Sequence, residues 1–220
     1  PRRDPANGEV AWDQASLAGK LHLARGVTEF DLLAAKHFDD AVFGLGAVGY
    51  LGGAAWRLDA TWTHLDAESS EDDYLSLVAN LDYAWVWLEK NFYGFVEFFY
   101  SGLGEGQGDY PAALANPEIL NRLDRGELFT VGRVYLSGHV QVELHPLVNG
   151  LLTVINNMAD PSGVVQPRLI WNTTQNTQVL VGGNFVYGSR GSEFGGFRIP
   201  GTSFTTRAAD SVYVWGTYYF

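Results

Sequence analysis

Apolar and polar residues alternate along this chain in segments of about ten, and the pattern returns eleven times between Ser16 and Phe220. A period of two is that of a β-strand whose two faces meet different surroundings, so the chain is bound to an all-β fold with a greasy and a wet side to nearly every strand. The segments read as 16–25, 27–37, 41–51, 54–65, 73–89, 91–102, 128–145, 150–158, 163–173, 178–188 and 210–220. The clearest starts at Arg133, where Tyr135, Ser137, His139, Gln141, Glu143 and His145 alternate with Val134, Leu136, Gly138, Val140, Val142 and Leu144. A slip of one residue would exchange the two faces, so the register is strongly specified. The same reading puts Trp56, Leu58, Ala60 and Trp62 opposite Arg57, Asp59, Thr61 and Thr63, and Leu75, Leu77, Ala79, Leu81, Tyr83, Trp85 and Trp87 opposite Ser76, Asn80 and Asp82. Pro167 interrupts the ninth segment and predicts a bulge there, because proline removes a ladder donor.

Composition narrows what the greasy side can face. Of 220 residues none is cysteine, which excludes disulfides and thiolate metal sites, while aromatics reach 14%, with seven Trp and eleven Tyr. No stretch approaches the roughly 18 consecutive apolar residues of a transmembrane helix, so a membrane, if crossed, is crossed by strands. The net charge is −11 and the basic residues are scattered, which leaves no footprint for nucleic acid.

The last segment carries the most specific signal. Val212, Val214, Gly216, Tyr218 and Phe220 fall on one face, Tyr213, Trp215, Thr217 and Tyr219 on the other, and Phe220 is the final residue. This resembles the C-terminal signal of Gram-negative outer-membrane β-barrels of the porin type, in which Tyr218 and Phe220 would serve membrane insertion. The stretch from Gly132 to Phe194 also looks like bacterial outer-membrane proteins of unassigned activity. The resemblance implies a transmembrane, antiparallel, up-and-down β-barrel in the bacterial outer membrane. Its partners would be outer-membrane lipid, lipopolysaccharide and the barrel-assembly machinery, with no cofactor and no metal; homo-oligomerisation stays open.

The connections fit that expectation. Short turns at 25–26, 51–53, 89–91, 145–149 and 174–177 alternate with mostly longer connections at 37–40, 66–72, 103–127, 159–162 and 189–209, as periplasmic turns alternate with outer loops. Trp85, Trp87, Phe92 and Tyr93 gather around one short turn like an interfacial girdle. Phe220 would then lie at the periplasmic end and residues 1–15 would be an outer N-terminal segment before the barrel portion 16–220. Single-chain bacterial barrels have even strand numbers, so eleven strands predict the C-terminal portion of a larger barrel, with an N-terminal portion as its partner.

On the wet face fall Lys20, His22, Glu29, Asp31, Arg57, Asp59, Asp82, Glu97, Arg133, His139, Glu143 and Arg168. They are candidate pore-lining residues, since charges lining an aqueous path bias which ions enter; the other reading is that they pair across a plugged lumen. In the insertion 103–127, Asn116, Pro117, Glu118 and Gly126 mark the cap, first turn and stop of a short helix with Ile119, Leu120 and Leu123 on its apolar side. Pro117, Glu118, Arg122, Asp124 and Arg125 are the candidate constriction, unless the helix merely caps the rim. The acidic run Asp66–Asp73 reads as a solvated loop rather than a divalent-cation site. The run 188–196 reads as a mobile glycine-rich loop without the features of a phosphate cradle. Ser137, His139 and Glu143 share a face, but two residues along a strand put Cα atoms about 6.5–7 Å apart, which does not build a catalytic triad. The sequence therefore predicts a non-enzymatic pore for ions or small hydrophilic solutes with a cation bias. A structural or partner-binding barrel comes second and a hydrolase third.

Overall fold

A computed structural model describes residues 15–66, 69, 71–199 and 201–220. Eleven strands form one sheet: β1 (Ser16–Arg25), β2 (Thr28–His37), β3 (Asp40–Leu51), β4 (Ala54–His64), β5 (Tyr74–Trp87), β6 (Lys90–Ser101), β7 (Val134–His145), β8 (Val148–Asn157), β9 (Ser162–Asn172), β10 (Thr177–Tyr187) and, at the far edge, β13 (Ser211–Tyr218). Each pairs antiparallel with the next in chain order. The fold is all-β and up-and-down, with 63% of the described residues in strands. Among the described residues the sheet is open, β1 and β13 each having a neighbour on one side only.

The sheet is staggered as well as long. One cross-strand row runs from His22 through Asp31, Gly46, Asp59, Val78, Phe99, Tyr135 and Asn157 to Ser162. It begins six residues into β1 and ends on the first residue of β9, so the strands shift along one another by more than half a strand length. A flat sheet needs no such shift, whereas rolling a sheet into a barrel wall requires it.

One end of the sheet carries tight turns and the other the longer excursions, as expected. Leu88 and Glu89 close the β5–β6 hairpin with φ of 48° and 58°, where a two-residue turn normally takes Asn-Gly. The seventh strand begins at Val134 rather than near 128, because residues 128–133 belong to the insertion: the Val131 and Gly132 amides are drawn to Glu193 instead of a neighbouring strand. Pro167 makes no bulge. It stands in register with Leu152, and the ladder to β10 lapses only beside it, between Arg168 and Val165. The real irregularity lies between Glu143 and His145 in the β7–β8 pair.

Among the described residues, nothing covers the apolar face. Leu21, Leu32, Phe43, Leu45, Trp62, Leu81, Trp87, Leu136, Trp171, Phe185, Val212 and Val214 all lie on it and are all exposed. A sheet in water buries its apolar side against a second layer, and a bare apolar face of this extent marks an interaction surface. Near the β5–β6 turn Trp85 stacks on Phe92 at 5.4 Å and on Tyr83 at 6.2 Å, with Trp87 tilted against Phe92 at 5.9 Å. Tyr93 is not part of this cluster, since its register partner Ala84 puts it on the polar face. Tyr218 and Phe220 lie on the apolar side beyond or near the end of β13. There Tyr219 is held by its amide to the Asn176 carbonyl at 2.8 Å and by the Asn176 amide to its own carbonyl at 2.7 Å.

Two consecutive non-glycine residues in the left-handed region cost about 1–2 kcal/mol each. Replacing Leu88-Glu89 by Asn-Gly should therefore raise unfolding stability by roughly 1–2 kcal/mol, read by denaturant titration; an unchanged or lower midpoint would contradict the strained turn.

Candidate functional site

The polar face has two zones, an open field of side chains along the strands and a packed rim where the insertion lies. In the field, the register brings Lys20, His22, Glu29, Asp31, Arg57, Asp59, Asp82, Glu97, His139, Glu143 and Arg168 to one face. Arg133 sits just before β7, where its Nε donates to the Gly104 carbonyl at 2.8 Å. Lys20 and His22 both reach Asp31, at 3.0 and 2.8 Å, and Arg57 pairs with Asp82 while its Nη1 donates to Asn80 at 3.2 Å. Asn80 in turn donates to Glu97 at 3.4 Å, and Asn91 to Glu143 at 2.6 Å. Asp59 lies across Gly46 from Asp31, so closely that a Cβ at 46 would stand 2.8 Å from its Oδ1. Away from the rim, six carboxylates (Glu29, Asp31, Asp59, Asp82, Glu97, Glu143) face three fixed cations (Lys20, Arg57, Arg168), so the field is net negative.

The imidazole of His139 bonds the Thr153 hydroxyl at 2.8 Å and stacks on Phe95, while Glu143 is taken by Asn91. Ser137, His139 and Glu143 therefore do not form a hydroxyl, imidazole and acid chain. Among the described residues no group of three or more His, Cys, Asp or Glu could hold a metal ion. In the acidic connection, Ala67, Glu68 and Ser70 lie outside the described residues, as do 1–14 of the N-terminal segment. Asp73 accepts from His64 at 2.7 Å and from the Leu65 amide at 3.1 Å, and the His64 contact holds its carboxyl below the usual range. Glu71 accepts from Asn116 at 2.8 Å.

At the rim, the insertion folds into two helices, α1 (Tyr110–Ala113) and α2 (Pro117–Asp124). The second starts as its sequence dictates: the Asn116 side chain accepts the Glu118 amide at 2.9 Å and Pro117 occupies the first turn. Ile119 and Leu123 pack with Leu103, Ala113, Leu128, Val131 and Tyr74 of β5, but Leu120, expected in the apolar stripe, is exposed. The buried residue in its stead is Arg122, 3% exposed. Its guanidinium spans Asp40 of β3 at 2.5 Å, Glu127 at 2.8 Å and Glu118 at 3.7 Å, and lies over the Tyr74 ring at 5.3 Å. Burial works against the charge of Arg122, but Tyr74 and Asp40 outweigh it and raise the pKa, so the group stays cationic. Arg125 pairs with Glu127 at 2.7 Å and covers the Phe38 ring at 4.2 Å, and His37 of β2 reaches Glu127 at 3.1 Å. Of the five constriction candidates, Pro117 and Asp124 are exposed and outside these contacts.

A second anchor escaped the sequence reading. Glu193, in the run read as a mobile loop, accepts from the Val131 amide at 2.8 Å, the Gly132 amide at 3.3 Å, Asn157 at 2.7 Å and the Tyr135 hydroxyl. Its own amide donates to Asp160 at 2.7 Å. Asn157 also donates to Tyr110 at 3.0 Å, and Tyr110 stacks on Phe197 at 5.5 Å. Phe197 belongs to a small hairpin of β11 (Phe197–Arg198) and β12 (Thr205–Thr206). Burial, then hydrogen bonding to Asp160, pushes the Tyr110 phenol well above its ordinary range, which keeps it neutral. The loop 188–199 is therefore fastened, because a single carboxylate satisfies two loop amides and two buried side chains. The cue available in the sequence was a lone acid among glycines, which carries no partner information by itself.

Compared with known family models, with curated proteins and with solved structures, the chain finds no match.

Removing one member of a buried ion network costs about 3–5 kcal/mol, because the remaining charges are left unpaired. Arg122→Ala should release the insertion while leaving the strand pairings intact: hydrogen exchange across 110–127 should quicken by two orders of magnitude or more, with strand amides unchanged. Unaltered protection would show that apolar packing alone holds the helix.

Proposed function

We propose that this chain is part of the wall of a bacterial outer-membrane β-barrel that passes ions or small hydrophilic solutes by diffusion, with a bias toward cations. The observation that carries the reading is the division of one staggered antiparallel sheet into an uncovered apolar face and a polar, net negative face on which a helical insertion lies. Lipid accepts the first face and water the second, and the stacked aromatics at the short-turn end match an interfacial girdle. The insertion would narrow the passage at the outer end. Catalysis has no part in this reading.

The two sheet edges bear on how such a barrel closes. Ten antiparallel pairings separate β1 from β13, so these strands run in the same direction. Joining them directly, or through an identical second sheet, would create parallel seams, whereas an odd number of additional antiparallel strands gives the even total of bacterial barrels. An N-terminal portion of the same barrel is the partner that fits. The tied insertion favours a second reading, a structural barrel with a plugged lumen whose outer loops bind lipopolysaccharide or a protein.

Planar-bilayer recording on the full-length, membrane-extracted protein separates them. Steady steps with a reversal potential on the cation side of zero in a salt gradient are expected; anion preference would refute the bias, and a silent bilayer would favour the plugged barrel.

A further inference from the structure

Beneath the insertion, at its junction with β7, lies a cavity of about 300 Å³ lined by Glu97, Phe99, Glu127, Leu128, Phe129, Thr130, Tyr135, Ser137 and Ile155. Its floor is set by register. Glu97 stands opposite Ser137, and Phe99 opposite Tyr135 in the next row of the same face, the two rings 6.1 Å apart and tilted by 45°. Segment 127–130 forms the roof, with Phe129 projecting from it, 89% exposed. The volume is at the small end of ligand pockets.

The two carboxylates differ. Glu127 is neutralised by Arg122, Arg125 and His37. Glu97 is half-buried and, among the described residues, forms no ion pair; its one hydrogen bond there is from the neutral Asn80 amide, because the nearby Arg57 is engaged by Asp82. A half-buried carboxylate without a cation, beside aromatic rings whose faces attract positive charge, lacks a partner of one kind. An anion would be repelled. A divalent metal ion would find a single uncommitted carboxylate and apolar walls in place of further oxygen ligands.

We propose that this cavity binds a small organic cation, an ammonium group on an aromatic or branched apolar body. The ammonium sits between Glu97 and the Ser137 hydroxyl, and the apolar body lies against Phe99, Ile155 and Phe129. The inference rests on the reading of the polar face as a lumen, and makes the cavity a station for amine solutes just inside the constriction.

The test uses phenethylammonium with the full-length protein in detergent near pH 7, by isothermal titration. Propylammonium lacks the ring, phenylacetate reverses the charge, and glucose offers polar stacking without charge. Phenethylammonium should bind more tightly than all three. Glu97→Gln should weaken it about tenfold or more, the usual cost of losing a charge-assisted hydrogen bond. Phe129→Ser, at a side chain too exposed to matter for folding, should weaken it several-fold. Equal binding of propylammonium or glucose, or affinity untouched by Glu97→Gln, would overturn the site. Bilayer recording on the same preparation keeps the two readings apart: conductance without amine binding leaves the pore and removes the site, and amine binding without conductance does the reverse.

Discussion

One phase of alternation, carried through ten antiparallel pairings and shifted only at the turn end of β7–β8, is the constraint on which the rest depends. Each strand takes its register from its neighbour, so the side on which Asp31 stands decides the side of Gly46, then of Asp59, then of Val78. A single slipped strand would send Arg57 or Asp59 to the face of Trp56 and Leu58. On the proposed membrane reading, a misplaced cation at mid-depth costs about 2–4 kcal/mol, and several would move together. Backbone pairing holds the faces apart, and the faces in turn specify the pairing. Small residues fit inside this logic: Gly46 gives Asp31 and Asp59 space to stand across one another, which an alanine would take away.

Among the described residues the middle of the sheet has no hydrophobic core, and the rim has one. Tyr110, Ile119, Arg122, Tyr135, Asn157 and Ser162 are buried at the end where the long connections meet. Two charged groups organise that rim from opposite sides. Arg122 draws α2 onto β3, and Glu193 draws the start of β7, the end of β8 and the last long connection together. Both work by gathering several partners into one low-exposure node, where each bond is strengthened by the exclusion of water and each partner becomes costly to leave alone.

The number of strands in the main sheet, most of their limits, the face assignment and the start of α2 were legible in the sequence, because each follows from a local rule: period two for the strands, an Asn cap and Pro at the first turn for the helix. What was not legible depends on partners distant in the chain. Leu120 looks like a core residue on a helical wheel, yet the surface beneath that helix is Asp40 and Tyr74, so Arg122 takes the buried place. Residues 128–133 continue the alternation of β7 but leave the sheet, because a carboxylate some 60 residues away offers their amides a better acceptor. Pro167 shows the same limit from the other direction, since a missing N–H predicts a defect without saying on which side of the strand it falls. The candidate lining residues were found from parity alone, whereas their pairing, Arg57 with Asp82 and Lys20 with Asp31, required the register.

On the proposed reading, the two anchors also decide what kind of constriction the insertion makes. To swing clear of the polar face it would have to strip Arg122 from Asp40, and free residues 131–132 from Glu193, in the same event. If each release costs about 3 kcal/mol, at the lower end for a buried charge left unpaired, the open state is populated at roughly one part in ten thousand or less. Such an insertion restricts passage by its fixed outline, and a solute is selected by what lies beside it. That shifts the weight of specificity from the helix itself to the strand residues it leaves uncovered, the net negative field and the Phe99 ring beside it.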